Sequence, residues 1–257
     1  MLKIYIISLK RDEKKRRVIE NKLNSLGLGF SFVDAIEGKL LTESEISHLN
    51  FAGKIKQRAF NPTLGEIGCG LSHLIAYRQF LNTADEWACI LEDDVILDER
   101  FSVFIKNFNE NELSEYQDCL FILGGQDGLD SRRLISKSLF KYIKVAGQVF
   151  RKIVGGERHV YRACCYLVSR KVSDNLLSVA KETFFLADDW LYLKQQNAFQ
   201  QIFISDFVAH PVDLSNSTLE PERQALQSKV FAEAPQLLKT IKYFIKVVVA
   251  KLRSCFL

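Results

Sequence analysis

The sequence lacks the short motifs that identify several common nucleotide-dependent enzymes. No G-x-G-x-x-G follows its first apolar run, and no G-x-x-x-x-G-K-[ST] occurs in its 257 residues. Both motifs build glycine-rich loops that hold phosphates, so their absence disfavours dehydrogenases and P-loop kinases. Internal repeats and low-complexity tracts are absent as well, which leaves a globular chain long enough to bury its own core.

Signatures of membrane crossing and of disulfide bonding are also missing. The N-terminal apolar run meets Arg11, Asp12 and Glu13 almost at once, which fits neither a signal peptide nor a membrane span and predicts a cytosolic location. The six cysteines form no C-x-x-C pair and lie mostly among apolar residues, so we expect reduced, buried thiols. They occupy positions 69, 89, 119, 164, 165 and 255.

Excess positive charge is confined to the C-terminus. The net charge is +4, but the segment after Glu233 carries five basic residues and no acidic one, which leaves the remainder near −1. Because the residues before this segment carry no basic excess, we do not expect them to bind nucleic acid. The compositional break predicts two parts: a domain over residues 1–232 and a basic amphipathic tail over residues 233–257.

Apolar patterning predicts an α/β fold with a mostly parallel central sheet. A strand from Lys3 to Ser8, a helix from Asp12 to Leu28 and a strand from Phe30 to Val33 form a β-α-β unit. Thr63 and Glu66 have the spacing of a capping box and predict a helix start. Further strands are predicted over residues 87–91, 119–123, 160–168 and 202–208. Ligands of such sheets bind at the carboxyl ends of strands.

Three adjacent carboxylates, Glu92, Asp93 and Asp94, come directly after the predicted strand at 87–91. Adjacent like charges repel, and a divalent cation relieves that repulsion. Alternation along a strand would put Glu92 and Asp94 on one face and Asp93 on the other. A solvated strand end is the alternative interpretation of this run.

A second acidic pair, Asp188 and Asp189, stands between the apolar run 184–187 and Trp190. One interpretation is the N-terminus of a helix, where aspartates are common. The other is a carboxylate in an apolar cleft, a setting that raises its basicity.

Other single residues are candidates for binding. His210 follows the last predicted strand, where an imidazole could complete a metal or phosphate site. His73 lies within a predicted helix and is more simply explained as a structural residue. Arg11 is the cation nearest the end of the first strand and could hold a diphosphate, although a solvated helix face also explains the basic run that it begins.

Five segments of the chain together carry a family resemblance. They are IYIISLKRDEKKRR from Ile4, FVDAIEG from Phe32, LGEIGCGLSHLIAY from Leu64, CILEDDV from Cys89 and HVYRACCYLVSRK from His159. The set resembles glycosyltransferase family 25, the lipooligosaccharide glycosyltransferases of Gram-negative bacteria whose relatives include collagen galactosyltransferases. The string GEIGC-x-LSH followed by LEDD is its most specific part.

The resemblance implies a GT-A-like nucleotide-sugar-binding fold and an inverting, metal-assisted transfer from a UDP-sugar, usually UDP-galactose. LEDD would stand in place of the D-x-D element, and oxygen-rich ligation suits Mn²⁺ or Mg²⁺. The implied metal ligands are Asp94 and Glu92, with His210 as a further candidate. The implied donor site comprises Arg11, Asp34, Ser72, His73, Glu92 and Asp93. The implied general base is Asp188 or Asp189.

The resemblance also implies an oligosaccharide on the lipid A core as the acceptor. The residue pattern of the tail, with apolar residues between Lys242, Lys246 and Lys251, predicts in addition that it lies on the anionic cytoplasmic face of the inner membrane. A helix packed on the enzyme or on a second subunit is the alternative for the tail. For the whole chain, the alternatives are a catalytically inactive nucleotide-sugar or carbohydrate-binding module and a nucleotidyltransferase.

Overall fold

The computed structural model describes residues 2–57, 61–213 and 236–256. Its strands are β1 (Lys3–Ser8), β2 (Ser31–Asp34), β3 (Trp87–Glu92), β4 (Cys119–Gly124), β5 (Ser136–Val145), β6 (Gln148–Gly155), β7 (Cys165–Ser169) and β8 (Gln201–Val208). Its α-helices are α1 (Glu13–Ser25), α2 (Glu43–Ser47), α3 (Leu64–Leu81), α4 (Glu99–Asn107), α5 (Arg170–Glu182), α6 (Trp190–Gln195) and α7 (Gln236–Phe256).

The eight strands form one sheet in the order β2-β1-β3-β7-β4-β8-β6-β5. The predicted α/β class with a central sheet is confirmed. Pairs β1/β2, β1/β3 and β4/β8 are parallel, and the other four pairs are antiparallel. Six of these strands run in one direction, and β6 and β7 run in the opposite direction. The sheet is therefore mostly parallel in strand direction, although four of its seven neighbouring pairs are antiparallel.

Helices cover both faces of the sheet, which explains the near-continuous apolar strands. On one face, Ile4 and Ile6 of β1 pack in a core with Leu23 of α1 and Phe104 of α4. On the other face, Tyr5 and Ile7 join a core that includes side chains of α3, α5 and α6. The alternation of β1 thus divides the domain into two apolar layers.

The predicted start of α3 is confirmed. The Thr63 hydroxyl accepts from the Glu66 N–H at 3.0 Å, and the Glu66 carboxylate accepts from the Thr63 N–H at 3.1 Å. Gly68 lets α3 lie against the chain after β2, because a Cβ there would stand 2.6 Å from the Ile36 carbonyl oxygen. This packing brings the middle of α3 to the carboxyl end of β1.

Two strand predictions need correction. The strand predicted over residues 160–168 begins only at Cys165, since Arg162 has a positive φ of 65° and its guanidinium donates to the carbonyls of Gly125 and Asp127. The β5–β6 hairpin was not predicted at all. Four consecutive residues in the middle of β5 are exposed, so the strand lacks the alternation of a half-buried strand.

The C-terminal helix α7 spans Gln236–Phe256 and packs against β5. Ala250 is buried, and the Tyr243 hydroxyl donates to the Asp130 carbonyl at 3.1 Å. Its exposed apolar side chains include Ile245, Val248 and Leu252. The predicted boundary at residues 232 and 233 lies outside the described residues. Among the helices that the structure describes, α7 included, we find none with the length and apolar character to cross a bilayer.

Candidate donor and metal site

A cleft of about 320 Å³ opens where β1 and β3 end side by side. The end of β1 and the first turns after it contribute Ile7, Ser8, Leu9, Arg11, Asp12 and Lys15. The chain after β2 contributes Ala35 to Lys39, α3 contributes Gly65, Cys69 and Ser72, and the end of β3 contributes Glu92, Asp93 and Asp94. The structure therefore brings the predicted acidic run together with Arg11 and Ser72.

All three carboxylates of the run line this cleft, so the predicted opposite orientation of Asp93 is wrong. The strand ends at Glu92, and Asp93 and Asp94 lie in a turn where the alternation of side chains no longer applies. The Ser8 hydroxyl donates to Asp93 Oδ2 at 2.6 Å. Burial raises the pKa of Asp93 to about 6, in spite of that hydrogen bond and the nearby charge of Lys15.

Asp94 and His210 form a partly buried pair with 3.4 Å between Oδ2 and Nε2. Burial acts to raise the pKa of Asp94, but the hydrogen bond and charge of His210 outweigh it, and the pKa lies below its ordinary value. Burial acts to lower the pKa of His210, and the bond to Asp94 reverses this, so its pKa is raised. The structure therefore places His210, a predicted candidate for a metal ligand, beside Asp94.

The second oxygen of Asp94 supports the predicted metal site. Oδ1 is buried and has no hydrogen-bond partner among the described residues. A buried carboxylate oxygen without a donor is destabilising unless a ligand satisfies it. Together with Asp93, it offers the oxygen ligation that Mn²⁺ or Mg²⁺ prefers, so the residues fit such an ion.

Glu92 is turned towards α3. Its Oε1 lies 3.3 Å from His73 Nε2 and 3.9 Å from Cys69 Sγ. His73 is 1% exposed, stands behind Glu92 and places Nδ1 2.7 Å from the Tyr166 hydroxyl. His73 is not among the described residues that line the cleft, so its predicted contact with a donor stays a prediction.

The cations of the cleft differ in their surroundings. Arg11 forms an ion pair with Glu37. Lys15 lies 3.7 Å from Asp12, and its charge opposes the burial that raises the pKa of Asp93 and helps to lower the pKa of Asp94. Lys15 belongs to the basic run that begins at Arg11, and Arg11 was the residue of that run predicted to hold a diphosphate. The position of Lys15 in the first turn of α1, directly after β1, was the signal that could have identified it.

Two predicted donor contacts have structural roles. The Ser72 hydroxyl accepts from the Ile36 N–H at 2.8 Å and donates to the Gly68 carbonyl at 2.6 Å, so it fastens the chain after β2 to α3. Asp34 accepts from the Arg16 guanidinium at 2.6 Å and lies outside the described lining of the cleft. Ser72 still faces the cleft, whereas Asp34 does not.

The two candidate bases lie in different environments. Asp189 is 2% exposed at the start of α6, and a Cβ added to Gly53 would collide with its carboxylate. Asp188 is only partly buried and accepts from the Arg162 N–H at 3.0 Å. Arg162 in turn donates to the Asp127 carbonyl, and the Asp127 side chain accepts from the His210 N–H at 3.2 Å. Hydrogen bonds thus connect Asp188 to the residue that holds Asp94.

The raised pKa of Asp93 predicts a pH-dependent stability. The folded chain keeps a proton on Asp93 up to about pH 6, whereas the unfolded chain releases it near 4, so stability falls as pH rises through this window. Without divalent ions, Asp93→Asn should raise the free energy of unfolding by about 2 kcal/mol at pH 7.5 and change it little at pH 4.

Urea unfolding in excess chelator at the two pH values measures this effect. Asp174→Asn on the exposed face of α5 is the matched control. Equal changes in the Asp93→Asn variant at both pH values would contradict the assignment of a buried, proton-retaining carboxyl.

A family model described as glycosyltransferase family 25 (LPS biosynthesis protein) matches residues 1–192, which include β1, α3 and the LEDD cluster. The chain belongs to glycosyltransferase family 25. The predicted family is thereby confirmed, and the matched range contains every predicted site residue except His210.

Individual proteins are also similar to this chain in sequence. A candidate glycosyltransferase of Haemophilus influenzae is 26% identical over 246 residues, which cover 85% of this chain and 76% of the relative. A family 25 member of Aedes aegypti and procollagen galactosyltransferase 1-B of Xenopus laevis are each 30% identical, over 48% and 40% of this chain. The matched segments are only 20% and 17% of those animal proteins.

Solved structures give more distant similarities. One is a glycosyltransferase involved in the glycosylation of the major capsid of PBCV-1, with a TM-score of 0.40 and 12% identity over 89% of this chain and 99% of the other. Another is the inositol-1-phosphate CTP transferase from T. maritima, with a TM-score of 0.42 and 12% identity over 91% and 98%.

Proposed function

We propose that this chain transfers a hexose from a UDP-sugar to an oligosaccharide of lipopolysaccharide, with inversion at the anomeric carbon and with the help of a divalent ion. The observation that carries the proposal is the cleft at the ends of β1 and β3, where Asp94 Oδ1 is buried without a donor. Galactose is the proposed sugar, since relatives of this family are named procollagen galactosyltransferases.

The residues of the cleft divide the binding of the donor between them. Asp94, supported by His210 and joined by Asp93, would hold Mn²⁺ or Mg²⁺, and Glu92 is a further candidate ligand. The ion would supply positive charge next to the leaving diphosphate. Arg11 and Lys15 flank the same cleft and would stabilise the negative charge that this diphosphate gains in the transition state.

An inverting transfer also needs one base on the acceptor side. We assign this role to Asp188, which is partly exposed, while Asp189 is almost completely buried. The Arg162 N–H holds one carboxylate oxygen of Asp188 by a hydrogen bond of 3.0 Å, and this carboxylate would take the proton of an acceptor hydroxyl.

An activity assay tests the proposal. The full-length chain should release UDP and form a product one hexose larger when it receives a UDP-sugar, Mn²⁺ and a glucose-terminated oligosaccharide. A panel of UDP-galactose, UDP-glucose and UDP-N-acetylhexosamines identifies the donor. Saturable UDP-sugar binding without any transfer would instead support an inactive binding module, and release of pyrophosphate would support a nucleotidyltransferase.

We further propose that α7 attaches the enzyme to the anionic cytoplasmic face of the inner membrane, where a lipid-linked acceptor is found. Lys246 and Lys251 are exposed on the same helix as the apolar side chains of Ile245, Val248 and Leu252. Each basic residue near an anionic bilayer contributes about 1 kcal/mol of binding, and exposed apolar side chains add to it.

Flotation with vesicles measures this attachment. The full chain should float with vesicles that contain phosphatidylglycerol and less with vesicles of phosphatidylcholine alone. A chain ending at Ala234 should float with neither kind of vesicle. The double variant Lys246→Glu and Lys251→Glu should lose the preference for the anionic lipid. Equal flotation of the full and shortened chains would exclude the helix as the anchor.

A further inference from the structure

We propose that Cys69, His73 and Glu92 form a binding site for a thiophilic divalent cation, and that Zn²⁺ is the ion that occupies it. One ligand atom of each residue lies within 4.8 Å of the other two. Such a site shares the candidate ligand Glu92 with the oxygen-rich site at Asp93 and Asp94 but draws its other ligands, Cys69 and His73, from α3, and it does not rest on the proposed transferase activity. The chain has no C-x-x-C motif, but a metal site can also be formed by ligands that different elements bring together.

The spacing of the ligands has a simple origin. Cys69 and His73 are four residues apart on α3, so their side chains project from the same face of the helix. Glu92 is the last residue of β3 and points at that face. A tetrahedral zinc ion with bonds of about 2.0 to 2.3 Å requires ligand atoms roughly 3 to 4 Å apart. The distances of 3.3 Å and 3.9 Å from Glu92 Oε1 to His73 Nε2 and Cys69 Sγ fall in this range.

The hydrogen bonds of His73 prepare its Nε2 for a metal. Nδ1 lies 2.7 Å from the Tyr166 hydroxyl, which lies 2.7 Å from the Tyr77 hydroxyl. When Nδ1–H donates to Tyr166 and Tyr166 donates to Tyr77, the Nε2 lone pair faces Glu92 and Cys69. Metal-ligating histidines usually have a partner of this kind on the other ring nitrogen.

The site is accessible from one side only. His73 is closed off in the core, while Cys69 and Glu92 line the donor cleft. An ion would therefore enter through the cleft and keep its remaining coordination position towards it, as zinc sites with three protein ligands do. A thiolate, an imidazole and a carboxylate favour zinc or cobalt over Mg²⁺ and Ca²⁺, which prefer oxygen ligands alone.

Cobalt titration of the reduced full-length chain tests the site without any activity measurement. One equivalent of Co²⁺ should produce a thiolate-to-cobalt charge-transfer absorption band, Zn²⁺ should remove it, and excess Mg²⁺ should leave it. Cys69→Ser should abolish the band. Cys255→Ser is the matched control, because Cys255 is an exposed thiol on α7, and this variant should retain the band in full.

Tyr166→Phe provides a second variant that keeps the ring in the core. Loss of the hydroxyl should weaken Zn²⁺ binding by about 10- to 100-fold, the usual effect of removing the partner of a ligating histidine. Circular dichroism checks that each variant is folded. The proposal is overturned if the folded wild-type chain gives no band, if Cys69→Ser retains it, if Cys255→Ser loses it, or if Mg²⁺ displaces the cobalt.

Discussion

Replacement of Asp94 by asparagine should reduce metal-dependent sugar transfer by about three orders of magnitude while the chain remains folded. The change removes the charge that the ion would need and keeps the shape of the side chain. A loss of this size corresponds to about 4 kcal/mol of transition-state stabilisation, which is within the range of a Lewis-acid contribution. The partly buried pair with His210 means that the variant also removes the charged partner of that imidazole.

The measurement is kcat/KM for the donor over a series of Mn²⁺ concentrations. Asp98→Asn is the matched control four residues away, since Asp98 is an exposed N-cap of α4 and asparagine caps helices equally well. Excess chelator should reduce the wild-type rate to the level of the Asp94→Asn variant. Normal turnover of Asp94→Asn, or wild-type turnover that persists in chelator, would remove the divalent ion from the mechanism.

The second large effect is expected at the proposed base. Asp188→Asn should lower kcat by about two to four orders of magnitude, the range for loss of general acid–base catalysis, and should leave the affinity for UDP and for the divalent ion unchanged. The amide can still accept the hydrogen bond of the Arg162 N–H, so the local backbone has no reason to move. The loss should therefore appear in kcat with little change in KM for the donor.

Asp189→Asn separates catalysis from structure. Asp189 is 2% exposed against Gly53 and α6, so its variant should alter thermal stability more than chemistry. Asp174→Asn, on the exposed face of α5, controls for the loss of one negative charge. If Asp188→Asn turns over normally, the pair only marks the beginning of α6, and the base has to be sought on another element.

Some parts of the site could be predicted because they depend on local chemistry. The capping box at Thr63 and Glu66 places the start of α3 from four residues alone, and the acidic run after β3 could be located from one apolar strand. Asp94 and His210 were each predicted as candidate metal ligands, which stays a prediction, and their pairing at 3.4 Å is visible only in the fold. These signals are short-range, so neighbouring residues suffice to generate them.

Other parts depended on contacts that no local pattern contains. The centre of β5 is exposed, and the pairing of β6 with β8 supplies hydrogen bonds that define the β5–β6 hairpin. The late start of the strand predicted at 160–168 follows from bonds between Arg162 and carbonyls 35 and 37 residues away. Lys15 acquired its place in the cleft because α1 begins directly beside the end of β1.

The sequence by itself determined the α/β class, the family and the position of the acidic run, because apolar periodicity, capping residues and contiguous motifs are properties of neighbouring residues. Only the tertiary structure decided which carboxylate oxygens share a cleft, that Glu92 faces Cys69 and His73, and that Asp188 is more exposed than Asp189. Those outcomes depend on how α3, β1 and β3 pack against one another. Packing brings together residues far apart in the chain, so their mutual distances cannot be read from either segment alone.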